Sequence, residues 1–251
     1  MPSKNCFFDS SLKAELLKAG LVDFDAFWNL ERDWIEPPNH RRKGWSGVSR
    51  LELPDTNIPP LFVKRQENHN TRTLLHPLSG VPTYLREVQS IVAFRKHNIP
   101  TLTPVYYGER IEDGNHQAIL ITQALDDYQD MWSLCRAGNE QKTLLALKEL
   151  AEATWLMHSK GLAHYCLYPN HVFVRFHENK PEVRMIDLEK ARRDPLKSRM
   201  RLKDLDCFLR HAGEFGQTAR QFFVDSYMAA GPVAQEKTLR ARLEKRIIYQ
   251  P

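Results

Sequence analysis

The chain has 251 residues, 42% hydrophobic and 27% charged, with a formal net charge of +5. That length supports one large core or two lobes, and no run approaches the roughly 18 consecutive apolar residues of a membrane helix. Cys6, Cys135, Cys166 and Cys207 form no CxxC pair, so a zinc ribbon, a redox motif or a disulfide framework is not expected.

In chain order, the start Met1-Pro2-Ser3-Lys4-Asn5-Cys6-Phe7-Phe8-Asp9 lacks an apolar signal-peptide core, which predicts a cytoplasmic protein. Leu12, Leu16, Leu17 and then Phe24, Phe27, Trp28 predict one or two short helices over residues 9 to 30. Pro37-Pro38 is expected to end that segment. Gly44-Trp45-Ser46-Gly47 reads as a turn, Val48, Leu51 and Leu53 as a strand, Pro54 to Asn57 as a second turn, and Leu61-Phe62-Val63-Lys64 as the next strand. Asn68 to Pro82 is polar and predicts a loop, followed by an amphipathic helix through Tyr84, Val88, Ile91, Val92 and Phe94 that stops at Ile99-Pro100. Strands around Pro104–Tyr107 and Gln117–Thr122 are joined through Asp113-Gly114, a hairpin-turn pair.

Beyond Gln123 the chain turns helical. Leu144 to Lys160 predicts a long buried helix with Gly161 at its end. Val172–Val174 and Val183–Leu188 predict two short strands, and helices are expected around Arg201–Arg210, Ala219–Ala229 and Gln235–Lys245. The order predicts an α+β protein: an antiparallel sheet lobe with one inserted helix over 1–122, and a helical lobe over 123–251. The basic runs Arg41-Arg42-Lys43 and Arg192-Arg193 lack interleaved aromatics, so nucleic acid is not the expected partner; an anionic substrate at a membrane surface suits the charge.

Four elements could carry chemistry. Gly44 and Gly47 could let a backbone approach phosphate, although a plain hairpin turn explains them equally well. Lys64 at the end of a strand could reach a phosphate as a point charge, held by Glu87 of the next helix; singly, either is more often a surface charge. His164-Tyr165-Cys166-Leu167-Tyr168-Pro169-Asn170-His171 is a polar loop between a buried helix and an apolar strand. Asp187, at the end of the later strand, is a natural magnesium ligand. The serial order of glycine turn, strand lysine, helix glutamate, histidine-bearing loop and acidic strand end is that of a kinase.

From Trp34 through Arg193 the chain resembles the lipopolysaccharide kinases, the group that includes the heptose and Kdo kinases and the InaA-type proteins, and it is most similar to the InaA-type branch. Arg41 to Val48, Phe62-Val63-Lys64-Arg65, Arg86-Glu87-Val88 and Ile186-Asp187-Leu188-Glu189-Lys190-Ala191-Arg192-Arg193 carry the resemblance. It implies a single domain over 1–251 with a protein-kinase-like two-lobed fold, ATP and Mg²⁺ as cofactors, and phosphorylation of an inner-core sugar, heptose or Kdo, of lipopolysaccharide on the inner face of the inner membrane. It implies Lys64 as the phosphate-binding lysine, Glu87 as its partner, Asp187 and His171 as metal ligands, and Asp204 as a cap of its helix or a tie to the catalytic loop. Gln123 to Leu125 would supply backbone groups to adenine, with Asp126-Asp127 touching ribose or capping the next helix.

The departure is Cys166, which stands where active members carry the catalytic aspartate of His-Arg-Asp. A neutral thiol is a poor proton acceptor; a thiolate at Cys166, helped by histidines such as His164, would be a better one. Two functions follow: a slow sugar kinase, or a pseudokinase that binds nucleotide in envelope or stress regulation.

Overall fold

A computed structural model describes residues 5–31, 34–41, 44–53, 58–73 and 76–248. The expected turn at 54–57, with Arg42 and Lys43 of the first basic run, lies outside the described residues. The chain divides into two compact units, Met1–Val92 with Leu102–Asp126, and Ala93–Thr101 with Asp127–Pro251.

The first unit is built on a six-stranded antiparallel sheet in the order β1-β7-β8-β4-β3-β2. Its strands are β1 (Asn5–Phe7), β2 (Trp34–Arg41), β3 (Gly44–Leu51), β4 (Leu61–Glu67), β7 (Pro104–Glu112) and β8 (Asn115–Gln123). A two-residue ladder joins β5 (Asn70–Thr71) to β6 (Val81–Pro82), inside the stretch expected to be a loop. Helices α1 (Ser10–Lys18) and α2 (Phe24–Trp28) are N-capped by Asp9 and Asp23, whose carboxylates accept helix amides. Leu16 and Phe27 from these helices pack with Leu61, Val63, Val105, Tyr106, Ile119 and Ile121 in one buried cluster. Each such fully buried side chain contributes roughly 1.5–3 kcal/mol.

Alternation along β4 sorts its side chains. Leu61 and Val63 enter that cluster, and Arg65 on the same face donates to the carbonyls of Trp28 and Leu30. Lys64 is therefore on the opposite face, towards α3 (Thr83–Lys96). The buried residues Tyr84, Glu87, Val88 and Ile91 make the i, i+3, i+4, i+7 stripe of α3.

Two expectations are corrected in this unit. Gly44 to Gly47 is not a turn but the start of β3. A Cβ on Gly44 would meet the backbone of Glu67 to His69, and one on Gly47 would sit 2.7 Å from the Trp34 ring. Close packing, and not chain reversal, is what excludes side chains there. Pro37-Pro38 does not end a helical segment either; both lie inside β2, where pairing skips from Glu36↔Val48 to Asn39↔Ser46. Edge position and a bulge spare the prolines a missing donor. The Asp113-Gly114 turn is as expected, with φ of 49° and 78° at its two residues.

The second unit holds β9 (Gln129–Asp130), α4 (Met131–Arg136), α5 (Glu140–Ser159), β10 (Leu162–Ala163), β11 (Val172–His177), β12 (Lys180–Met185), β13 (Arg192–Arg193), α6 (Lys197–His211), α7 (Gly216–Ala229) and α8 (Glu236–Ile248). Asn139 caps α5, and Gly161 at φ 71° leaves it. β11 and β12 form a hairpin with β9 as third strand, while β10 pairs with β13. Strand β12 stops at Met185, short of the expected Leu188, because Leu188–Lys190 winds into a 3₁₀ turn. Asp187 precedes that turn at φ 58°, ψ 56°.

Candidate active site

In the first unit, Lys64 Nζ lies 2.6 Å from Glu87 Oε1, with the Glu87 side chain 4% exposed. The helix that carries Glu87 is anchored to the strand that carries Lys64: Gln66 accepts from the Tyr84 amide at 2.9 Å and donates to the His69 carbonyl at 2.9 Å. Thr83 Oγ1 donates to the same carbonyl at 2.8 Å. A lysine so held is a fixed charge on the sheet rather than a swinging surface ammonium.

Past β8, the Gln123 amide donates to Thr103 O and the Ala124 amide to Pro60 O. Two amides of the expected adenine-binding stretch are therefore engaged within the protein. Asp126 is claimed by Arg50, whose Nη1 and Nη2 donate to its two carboxylate oxygens at 2.7 and 2.5 Å. That pairing holds the Asp126 carboxyl below the usual carboxylate range. Asp126 caps no helix; Asp130 caps α4.

In the second unit, Asp204 organises the 164–171 loop from the middle of α6. Its carboxylate accepts from the amides of His164 at 2.8 Å and Tyr165 at 2.7 Å, and it lies 3.1 Å from His158 Nε2. His158 Nδ1 is 2.8 Å from the Tyr227 hydroxyl. Asp204 is thus the tie to the loop, not a cap. Tyr165 is held at φ 63°, a region costly for a residue with a Cβ and retained where surroundings enforce it.

His164 has both ring nitrogens engaged. Nε2 lies 3.0 Å from the Ile186 carbonyl, so it carries the proton; Nδ1 accepts from the Cys166 amide at 3.3 Å. Burial pushes this imidazole below its ordinary value, keeping it neutral. His164 therefore braces the loop through both ring nitrogens. Cys166, 3% exposed, accepts a hydrogen bond from Lys190 Nζ at 3.2 Å. That bond holds the Lys190 ammonium above its usual range.

His171 Nδ1 is 3.0 Å from the Cys166 carbonyl and must donate to it, which leaves Nε2 with the lone pair in the neutral ring. Nε2 faces Asp187 Oδ2 at 3.4 Å. The two side chains are placed to share a cation. A cation with one protein carboxylate and further oxygens from phosphate and water fits Mg²⁺ chemistry. No group of three or more metal-ligating side chains occurs among the described residues, so such an ion would draw most of its shell from elsewhere.

The lipopolysaccharide kinase (Kdo/WaaP) family matches residues 25–227. The chain belongs to that family. It is 32% identical over 178 residues to Protein InaA of Escherichia coli (strain K12), covering 68% of this chain and 79% of the relative. The solved structure of WaaP in complex with acyl carrier protein covers 98% of both chains with a TM-score of 0.70 at 20% identity. That likeness is one of fold: the chain has the protein-kinase-like α+β fold of this lipopolysaccharide kinase.

The residues expected to carry chemistry fall in two sets, one in each unit. The fold joins Lys64 to Glu87, and separately gathers His164, Cys166, His171 and Asp187. Sequence reasoning passed over three participants. His158 carried no ligand spacing, and its partners lie 46 and 69 residues away. Lys190 was noticed only as part of a motif. Tyr168, whose ring packs edge-on against both His171 and His211 at 5.0 and 4.5 Å, stands two residues from the loop cysteine without a signal of its own.

Proposed function

We propose that the chain binds ATP with Mg²⁺ and transfers phosphoryl groups slowly to a hydroxyl of an inner-core lipopolysaccharide sugar, heptose or Kdo. The observation that carries this reading is the Lys64–Glu87 ion pair at 2.6 Å, which has the residue types and order of a kinase's phosphate-holding pair. Lys64 would contact nucleotide phosphates, and the Leu125 amide with the Gln123 carbonyl would take the adenine edge. Gly44 would offer β3 backbone on the Lys64 side of the sheet, whereas Gly47, opposite Arg65, faces the Trp34 ring on the other side. His171 and Asp187 would hold Mg²⁺, which neutralises phosphate charge when bound.

The acceptor hydroxyl must lose a proton, and Cys166 stands at the aspartate position. Its sulfur already accepts from Lys190, so it serves poorly as a hydrogen-bond acceptor for the hydroxyl. Loss of a general base costs roughly 10²–10⁴-fold, while positioning and charge stabilisation survive. The same contact favours a second reading, a pseudokinase that binds nucleotide and signals without turnover.

A net charge of +5 suits an anionic glycolipid or another anionic sugar at the inner face of the inner membrane, with the protein cytoplasmic and peripheral. No described helix is long and apolar enough to cross a membrane. The deciding experiment incubates the protein with labelled ATP, Mg²⁺ and dephosphorylated core lipopolysaccharide. Label in the sugar supports the kinase; ATP–Mg²⁺ binding without label supports the pseudokinase; no nucleotide binding rejects both.

A further inference from the structure

The chain's excess charge sits in one stretch. Glu189 to Lys203 carries seven Lys or Arg and two Asp or Glu, a formal +5 that equals the net charge of the whole chain. The acids that follow do not offset it. Asp204 is taken up by the loop amides, and Asp206 pairs with Arg210 and Arg246. Arg192, Arg193, Arg199 and Lys203 are all exposed. In the same unit Arg136, Arg175, Arg184 and Arg240 each hold a carboxylate, whereas among the described residues these four hold none.

Local structure gathers these cations around an apolar corner. Asp194 accepts the Leu196 amide at 2.8 Å, an Asx-type bend between β13 and α6. Pro195 and Leu196 stand at the bend, both exposed, Leu196 at 57%. Leu196, Arg199 and Lys203 follow i, i+3, i+7 and share the outer face of α6, while Met200, Asp204 and Phe208 are buried on the inner one. Tyr165 draws the two ends of the stretch together. The Arg192 guanidinium lies 3.8 Å from its ring centroid and the Lys203 ammonium 5.5 Å. An exposed leucine is thus flanked, along the chain and on its helix face, by cations without carboxylate partners, next to the residue that precedes Cys166.

We propose that the corner between Arg192 and Lys203 is a docking surface for an anionic phospholipid membrane, with Arg192, Arg193, Arg199 and Lys203 on headgroup phosphates and Leu196 in the boundary between headgroups and acyl chains. Cations near an anionic leaflet are attracted in proportion to their number, and an apolar side chain at the tip adds burial that a soluble polyanion cannot supply. A nucleic acid would use the charges and leave Leu196 in water, so the exposed leucine favours the lipid surface. Tyr165 adjoins Cys166, and docking here would hold the 164–171 loop near the plane in which a glycolipid acceptor lies. The inference rests on the reading of the protein as peripheral at the inner membrane face, and not on turnover.

The test sediments the full-length protein with phosphatidylcholine vesicles, and with vesicles in which a third of the lipid is phosphatidylglycerol. Wild type should bind the second kind and not the first, and should come off as salt rises. Arg193→Gln with Arg199→Gln removes the two cations that are not ring contacts of Tyr165. Binding should weaken about 25-fold, roughly fivefold per charge. Lys237→Gln with Arg242→Gln, exposed on α8, makes the same change in net charge and should weaken binding less than about twofold. Leu196→Ser should weaken vesicle binding severalfold and leave retention on heparin, a soluble polyanion, unchanged. The proposal is overturned if wild type ignores the anionic vesicles or if the two double variants lose equally. It is also overturned if Leu196→Ser matches wild type on vesicles, which would make a nucleic acid or another soluble polyanion the partner. The vesicles hold no lipopolysaccharide and the assay no nucleotide, so failure here does not count against phosphoryl transfer, nor a failed transfer assay against this surface.

Discussion

The Asp204 carboxylate accepts the Tyr165 amide at 2.7 Å from a fully buried position in α6. The same group serves the His164 amide and faces His158, so one side chain fixes the entry of the 164–171 loop. Asp204→Ala would strand these partners away from water. The expected loss is about 3–5 kcal/mol of stability, measured as a lower urea midpoint at unchanged slope. Asp204→Asn, which keeps one acceptor oxygen but turns an amide donor towards the others, should fall between. Equal midpoints for all three proteins would refute the anchoring role.

Lys64→Met tests nucleotide binding without touching the loop. A ligand at one hundred times its Kd stabilises the folded state by about 2.7 kcal/mol. Wild type should therefore melt several degrees higher with ATP–Mg²⁺, and the variant should not, while far-UV circular dichroism of the two remains alike. An undiminished shift in Lys64→Met would remove Lys64 from the site.

Cys166→Asp places a carboxylate opposite Lys190, supplying the proton acceptor that the proposed transfer lacks. If proton acceptance limits the reaction, turnover should rise by roughly 10²–10⁴-fold, measured as phosphate transfer at saturating ATP. Cys166→Ala should stay near wild type, since the sulfur contributes little as a base. A large drop in Cys166→Ala would instead make the thiol an active participant.

His164 predicts an acid-side loss of stability. Burial outweighs the opposing pull of the Asp204 and Asp187 carboxylates, and nearby His171 adds to it, so the folded imidazole titrates below its ordinary 6.5. As pH falls through 6.5 the unfolded chain takes up a proton that the folded chain refuses. The stabilisation is complete above that pH and declines towards the lower folded value, by at most about 1.4 kcal/mol per pH unit. Urea midpoints from pH 7.5 to 5 should fall more steeply for wild type than for His164→Gln. Parallel curves would mean that other groups dominate.

Gly44→Ala separates packing from turn formation. A methyl there would press on the backbone of Glu67 to His69, which cannot swing aside as a side chain can. The expected cost is about 1–3 kcal/mol, seen as a lower thermal midpoint. Gly138→Ala, whose Cβ would meet nothing within 4 Å, should lose only what its φ of 74° imposes.

What could be read from the sequence was local or periodic. Asp113-Gly114 announces its turn because the two residues alone satisfy the positive φ angles. The α5 helix is visible from its apolar spacing and its closing Gly161. Gly44 and Gly47 misled because glycine marks both reversals and tight contacts, and the contacting atoms belong to Glu67–His69 and Trp34, which the local text does not reveal. The same holds for the loop's supports. Asp204 was expected either to cap or to tie, and only its position in mid-helix decides. His158 and Lys190 gain their meaning from partners 46 and 24 residues away, beyond any window of periodicity.

The outer strand β2 has a consequence for the molecule in company. A sheet's last strand offers unpaired amides and carbonyls on which another chain can build. Here that margin carries two imino acids, Pro37 and Pro38, at the point where its register slips. Each removes a donor from the rim, and the slip bends the rim out of line with any incoming ladder. The segment that seemed to punctuate a helix thus protects the sheet against self-association, and replacing Pro37 and Pro38 by threonine should make concentrated solutions scatter light sooner.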